Sequence, residues 1–154
     1  AAPLGPDPRL AALLSVRLGM VPSDWGIVLA AAGSSRPMAA EQIEVLAADL
    51  AVIRPQKVLA AYGASAAPLV PDAVATLRAQ GAVGVVVASY LLAPGYFHDQ
   101  LGLAGGDRVT EPLLPSTLLA ELALEHFDAA IHRTGGERGA AAEIESVYDE
   151  RGNK

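Results

Sequence analysis

The sequence contains no cysteine among its 154 residues, and aromatic side chains make up only 5% of it. Without cysteine it has no disulfide framework and no thiolate metal site, which fits a reducing compartment. Long hydrophobic runs are missing too, because no apolar stretch approaches the roughly 20 residues that a membrane-spanning helix needs. Residues 1–19 lack the basic start and unbroken apolar middle of a signal peptide. A net charge of −6 argues against a nucleic-acid partner. We therefore expect a cytoplasmic protein that binds neither nucleic acid nor a membrane.

Hydrophobic residues make up 52% of the chain, which is enough to build the core of one domain. Short apolar runs alternate with helical patterns, and this alternation predicts parallel βαβ units. We expect an α/β fold with a four-stranded parallel sheet flanked by helices, in a flavodoxin-like three-layer arrangement. The predicted strands are 26–32, 57–62, 83–92 (the central one) and 108–113, and the predicted helices are about 38–50, 71–80, 97–101 and 116–131.

Two segments of the chain resemble copies of one structural unit. Residues 2–18 and 111–127 share 6 identities in 17 positions, and matching residues lie 109 positions apart. Asp7 and Ser116 occupy the same helix N-cap position. We expect residues 1–19 to be the end of a preceding homologous unit, followed by one α/β domain at 20–132 and a solvated tail at 133–154. A chance match in a chain rich in alanine, leucine and proline is the alternative.

Ligands of an open parallel sheet bind beyond the carboxyl ends of its strands, so the loops 32–37, 63–67, 93–99 and 111–116 are the places to search. Ser34, Ser35 and Arg36 lie in the first of them, just before a predicted helix. Hydroxyls, backbone N–H groups and a guanidinium there favour an anion site. The alternative interpretation is ordinary capping of the helix by a serine.

The segment that follows the predicted central strand combines aromatic, imidazole and carboxylate groups. A flat apolar ligand can stack on Tyr96 or Phe97, and His98 is suited to act as a base or metal ligand. Glu111, at the end of another strand, is its most plausible distant helper. In the alternative interpretation, the aromatic rings cover the end of the sheet and His98 faces water. His126 and His132 are expected at the surface of the last helix.

Three features together resemble the sirohydrochlorin chelatase family (CbiX and SirB type), which belongs to the class II chelatases. They are a strand ending in a Gly-Ser-Ser-Arg loop, the central segment VVVASYLLAPGYFHD, and the later segment EPLLPSTLLAELALEHF. The resemblance implies insertion of a divalent metal substrate, Co²⁺ or Fe²⁺, into a tetrapyrrole. It implies no ATP and no organic cofactor, and a product that enters cobalamin or sirohaem synthesis. Long members of the family carry two such units in tandem.

The chain departs from both histidine motifs of that family. Ala32 stands where the family has the histidine of His-Gly-Ser/Thr-Arg, and Phe97 stands where it has the histidine of Gly-x-His. His98 is one residue late, and on an extended stretch such a slip reverses the direction of a side chain. The resemblance thus implies that this chain is the catalytically depleted C-terminal half of a chelatase. Its partner would be an upstream homologous unit or a second copy in a homodimer.

On this interpretation, His98 is the one local catalytic candidate, and His98 with Glu111 is the candidate metal site. The expected tetrapyrrole-binding residues are Ser34, Ser35, Arg36, Tyr90, Gly95 and Tyr96. Two other hypotheses stay open. The first is a non-catalytic module of the same fold that binds a tetrapyrrole or a metal. The second is a doubly wound domain that binds a phosphorylated ligand at 33–36.

Overall fold

A computed structural model describes residues 6–149 of the chain, with side chains over residues 6–133. It has the expected α/β architecture with four parallel strands. The elements in chain order are α1 (Pro8–Leu18), β1 (Gly26–Ala31), α2 (Pro37–Ile53), β2 (Lys57–Tyr62), α3 (Val70–Ala79), β3 (Val85–Ser89), α4 (Tyr96–Leu101), β4 (Arg108–Val109) and α5 (Thr117–Asp149).

The strand order across the sheet is β2-β1-β3-β4, so β1 and β3 are the two inner strands. Every residue of these two strands is buried, which explains why both appear in the sequence as unbroken apolar runs. Their register pairs Gly26 with Val85 and Ala30 with Ser89. The prediction of an inner strand within residues 83–92 is confirmed, although the strand itself is shorter.

The core lies on both faces of this sheet, because successive side chains of a strand point to opposite sides. Val28, Val85 and Val87 pack on one face with side chains from α3 and α4. The alternate residues, such as Ile27 and Val86, are completely buried on the other face, where α1 contacts β3 and α2 contacts β2. Helices therefore cover the sheet on both sides.

Helix α1 is an integral part of this α/β unit. Its N-terminus is capped by the Asp7 carboxylate, which accepts a hydrogen bond from the Arg9 N–H at 2.8 Å. At its other end, Arg108 donates to the Leu18 carbonyl at 2.8 Å and Arg54 donates to the Gly19 carbonyl at 2.9 Å. These contacts satisfy carbonyl groups that every helix C-terminus leaves unpaired.

β4 and α5 also differ in length from the prediction. β4 stops at Val109 instead of Leu113, and Pro112, which has no N–H, is unable to extend the ladder there. α5 continues to Asp149 instead of ending near Ile131, because no proline follows, and glycine, present at 135, 136 and 139, disfavours a helix far less than proline does.

Contacts divide the chain into two compact units, one ending at Leu118 and the other containing α5 from Leu119 onward. The first unit holds the whole sheet and helices α1 to α4. Within the described residues, no helix combines the length and apolar character that crossing a membrane demands.

Candidate functional site

The four loops chosen from the sequence follow the carboxyl ends of four parallel strands, so they meet at one edge of the sheet. The loops after β1 and β2 are joined directly through their backbones. Gly63 N–H donates to the Ala31 carbonyl at 2.8 Å, and Ala64 N–H donates to the Ala32 carbonyl at 3.0 Å. This edge therefore has a fixed backbone frame on which side chains are displayed.

The loop after β1 contains three of the expected ligand-binding residues. The Ser34 hydroxyl accepts a hydrogen bond from the Arg36 N–H at 3.1 Å, so it serves a local turn before α2. Ser35 and Arg36 are exposed, and the Arg36 guanidinium has no hydrogen bond or ion pair with any other described residue. Arg36 is therefore a cation at this edge that is open to an external anion.

Two aromatic rings stand at the start of α4. Tyr96 and Phe97 are 71% and 48% exposed, and their rings meet edge to face with centroids 5.7 Å apart. Both rings line a cavity of about 320 Å³ at the carboxyl end of β2. The remaining lining residues are Tyr62, Gly63, Ala64, Leu69, Val70, Pro71, Gln100, Leu101, Leu103 and Ala104. A site with this lining suits an apolar group with a few polar substituents.

His98 is half-buried on α4 and is directed back toward the end of β4. Its Nε2–H donates to the carbonyl oxygen of Thr110 at 3.0 Å. Thr110 immediately precedes Glu111, whose side chain is exposed, so the fold brings His98 to the segment that carries its expected helper. Over residues 6–133, no three His, Cys, Asp or Glu side chains are grouped closely enough to hold a metal ion. His98 and Glu111 together would therefore supply two metal ligands at most.

Tyr90 directly follows β3 and is half-buried at the same edge. Its N–H continues the pairing with β1 by donating to the Ala30 carbonyl at 2.8 Å. Burial raises the pKa of the Tyr90 phenol above its ordinary value of 10.0, so the group stays neutral near physiological pH.

The other two histidines lie on α5. His132 Nδ1–H donates to the Asp128 carbonyl at 2.8 Å, one helical turn earlier, and its side chain is exposed. His126 is half-buried on the same helix. Both therefore lie outside the segment between β3 and β4 that carries His98.

Some residues of this edge escaped the sequence interpretation. Tyr62 and Leu69 line the cavity because they flank the loop after β2, where only the loop itself was noted. Gln100 and Leu101 were also missed, although they follow Phe97 by three and four residues on α4, and that helical spacing was a usable signal. Thr110 was missed because its importance comes from its hydrogen bonds and not from a motif.

The sequence model of the CbiX family matches residues 26–104, just over half of the chain. Among curated proteins, none is a significant match.

Two solved structures resemble the chain in fold. SirB from Bacillus subtilis with Fe³⁺ superposes with a TM-score of 0.74 at 16% identity, over 88% of this chain and 58% of that one. A putative cobalamin (vitamin B12) biosynthesis CbiX protein from Marinobacter aquaeolei VT8 gives a TM-score of 0.54 at 24% identity, over 70% of this chain and 98% of that one. The chain thus spans little more than half the length of the SirB chain.

Proposed function

Because this chain belongs to the CbiX family, we propose that it is part of a class II chelatase that inserts divalent cobalt or iron into a sirohydrochlorin-type tetrapyrrole. The reaction would serve cobalamin or sirohaem synthesis. One observation carries the proposal: the family match runs from β1 through α4 and so includes both loops where the resemblance locates its metal-handling motifs. The absence of cysteine supports a cytoplasmic place of action.

Metal insertion requires that two pyrrole N–H protons leave while a metal ion loses its water. Imidazoles suit both tasks, because they accept protons near neutral pH and bind borderline metals. Here Ala32 and Phe97 occupy the two family histidine positions, and neither side chain accepts a proton or binds a metal. We therefore assign this chain to the catalytically depleted C-terminal half of the enzyme, with the main imidazoles on a preceding unit.

Two observations support the tandem arrangement. α1 begins at Pro8 and α5 begins at Thr117, which is the 109-residue offset of the sequence repeat. In addition, the chain spans only 58% of the SirB chain that it resembles.

The groups at the carboxyl edge of the sheet would have different roles in binding and in the reaction. Arg36 and Ser35 would bind carboxylates of the tetrapyrrole through charge-assisted hydrogen bonds. Tyr96, which follows Gly95 at the start of α4, would contact the macrocycle face, and neutral Tyr90 would lie beneath it. His98 and Glu111 would supply the local proton acceptor and metal ligands.

A partner is the last part of the proposal, either the preceding unit or a second copy of this chain. Support comes from an apolar stripe on α5 formed by Leu124, Phe127 and Ile131. These side chains are spaced by three and four residues, so they share one side of the helix, and they are 63%, 62% and 51% exposed. Grouped exposed apolar side chains are typical of an interaction surface.

The decisive experiment restores the missing imidazoles. Binding and insertion are both followed through the absorbance of sirohydrochlorin, with Co²⁺ and Fe²⁺ tested separately. We expect the natural chain to bind the tetrapyrrole and insert metal slowly, and the Ala32→His/Phe97→His variant to insert at least about tenfold faster, since a positioned acid–base group contributes that much or more. Ala93→His, in the same loop as Phe97, is the matched control and should have no effect.

The outcomes separate the parts of the proposal. Rapid insertion by the natural chain alone would overturn its assignment as a depleted half. Absence of both binding and insertion in every variant would overturn the chelatase function. His98→Ala tests the local candidate against His126→Ala, and equal insertion by these two variants would remove His98 from the reaction.

A non-catalytic module that binds tetrapyrrole or metal is the second candidate. The observation that favours it is the pair Ala32 and Phe97 at the family histidine positions. Tight tetrapyrrole binding without turnover, even in the Ala32→His/Phe97→His variant, would establish this role instead.

A further inference from the structure

The hydrogen-bond ladder between β3 and β4 is interrupted at Thr110. In a regular parallel pair, the hydrogen bonds between the two strands are evenly spaced. Along one strand, a C=O group that accepts from the neighbour is followed by an N–H group that donates to it. Val87 pairs with Val109, and the Thr110 N–H donates to the Val87 carbonyl at 2.9 Å. The next bond of this ladder would run from the Ser89 N–H to the Thr110 carbonyl.

The Thr110 side chain takes that bond instead. The Ser89 N–H donates to Thr110 Oγ1 at 2.9 Å, and both residues are buried, Ser89 completely and Thr110 to all but 4%. A buried N–H needs an acceptor, and the hydroxyl supplies one. The Thr110 carbonyl is consequently released from the sheet while staying next to it.

The released carbonyl accepts the hydrogen bond from His98 Nε2–H at 3.0 Å. A carbonyl oxygen only accepts, so Nε2 must carry the proton and neutral His98 must keep its lone pair on Nδ1. Among the described residues, Nδ1 of His98 has no hydrogen-bond partner. Fixing one ring nitrogen through a backbone carbonyl is a recognised way of orienting a histidine whose other nitrogen works.

We propose that Thr110 is a positioning residue for His98: its hydroxyl replaces its own carbonyl in the β3–β4 ladder, and the freed carbonyl holds the imidazole with Nδ1 as the working atom. The part of this proposal that concerns the reaction rests on the proposed chelatase function. The hydrogen-bond arrangement itself does not depend on any ligand.

The test is nitrogen-15 NMR of the histidine side chains in the full chain, at a pH about two units above the ordinary histidine pKa of about 6.5. In the natural chain we expect a protonated Nε2 whose hydrogen exchanges slowly with water, and an unprotonated Nδ1. Thr110→Val has the same shape without the hydroxyl, so the carbonyl should return to the Ser89 N–H and exchange of the His98 Nε2 hydrogen should accelerate by about tenfold or more.

Two further variants serve as controls. Thr110→Ser keeps the hydroxyl and should preserve the slow exchange. Thr76→Val removes an exposed threonine hydroxyl on α3 and should leave the His98 signals unchanged. Protonation of Nδ1 in the natural chain would overturn the proposal with no variant needed, and so would slow Nε2 exchange in a folded Thr110→Val protein.

The insertion assay then tests the catalytic consequence. We expect Thr110→Val to lower the insertion rate toward that of His98→Ala while tetrapyrrole binding is unchanged, and Thr110→Ser to restore the rate. The positioning role would be contradicted if Thr110→Val inserted metal as fast as the natural chain while His98→Ala inserted it slowly. If no variant inserts metal, the chelatase function fails, and the NMR result still decides how His98 is held.

Discussion

Gly33 lies against Ala64 so closely that a Cβ atom on Gly33 would overlap the Ala64 carbonyl oxygen. The backbone of Gly33 also has φ +100°, a conformation that other residues rarely adopt. The close approach brings the loop after β1, with its Ser35 and Arg36, directly against the loop after β2. The proposed anion-binding residues and the apolar cavity therefore share one rigid backbone frame.

Replacing Gly33 by alanine should destabilise the protein by at least about 2–3 kcal/mol, because strain at positive φ adds to a backbone overlap. Gly81→Ala is the matched control, since Gly81 has φ +99° with no atom within 4 Å of a Cβ. The Gly81 variant should lose only about 1–2 kcal/mol. Urea unfolding of both variants measures the difference, and equal losses would show that the Ala64 contact is unimportant.

Arg17 fixes the segment that follows β4. Its Nη2 donates to the Leu113 carbonyl at 3.1 Å and to the Pro115 carbonyl at 2.8 Å, just beyond Glu111. Arg17→Met keeps the apolar stem and removes both bonds, so we expect a loss of about 1–3 kcal/mol in the free energy of unfolding. The exposed Arg133→Met control should change it by less than about 0.5 kcal/mol. Equal small effects in urea unfolding would contradict this role of Arg17.

Asp107 should make stability depend on pH at the acid end. The Val85 N–H, which donates to Asp107 at 2.8 Å, lowers the pKa of the carboxyl below its ordinary value of 3.8, and the charge of Arg78 lowers it further. When folding lowers the pKa of a carboxyl group, the ionised group stabilises the folded protein at any pH above the pKa of the unfolded chain. This stabilisation is lost as the pH falls through the pKa of the folded protein.

The matching experiment is urea unfolding of the natural chain and Asp107→Asn at about pH 7 and about pH 2.5. The amide still accepts the Val85 hydrogen bond but carries no charge. The natural chain should be the more stable of the two at the higher pH, and the gap should shrink at the lower pH. A gap of the same size at both pH values would rule out this titration as its cause.

The apolar stripe on α5 should control assembly. We expect light scattering of the natural chain at micromolar concentration to report a dimer or larger species. Leu124→Lys/Phe127→Lys should shift it toward the monomer, because burying two unpaired charges is unfavourable. Val16→Lys changes a side chain that is 76% exposed on α1 and should not alter assembly. A well-folded monomer of the natural chain would count against partner binding through a second copy.

Much of the fold was predictable because apolar periodicity reports burial directly. The run at residues 57–62 became β2 with the same bounds, and α3 and α4 begin within one residue of their predicted starts. The extent of β4 was not predictable in this way. Its end depends on Thr110 as well as on Pro112. The Thr110 side chain accepts the Ser89 hydrogen bond in place of the Thr110 carbonyl, and this exchange leaves no periodic signal in the sequence.

The sequence predicted which loops form the candidate site, but it predicted few of the contacts between their residues. The sequence singled out His98 and Glu111 because imidazole and carboxylate are the groups that move protons and bind metals. It did not indicate that His98 is bound to the residue before Glu111, since twelve positions of chain separate His98 from Thr110.

By itself, the order of apolar and polar residues determined the parallel α/β architecture and the edge of the sheet where ligands are expected, because both follow from local periodicity and strand direction. Only the tertiary structure decided that Gly33 and Ala64 touch, that Arg36 is open to solvent, and that the Nε2 atom of His98 is hydrogen-bonded to the Thr110 carbonyl. These features arise from contacts between segments that are distant along the chain, and their geometry is set by the packing of the whole sheet edge.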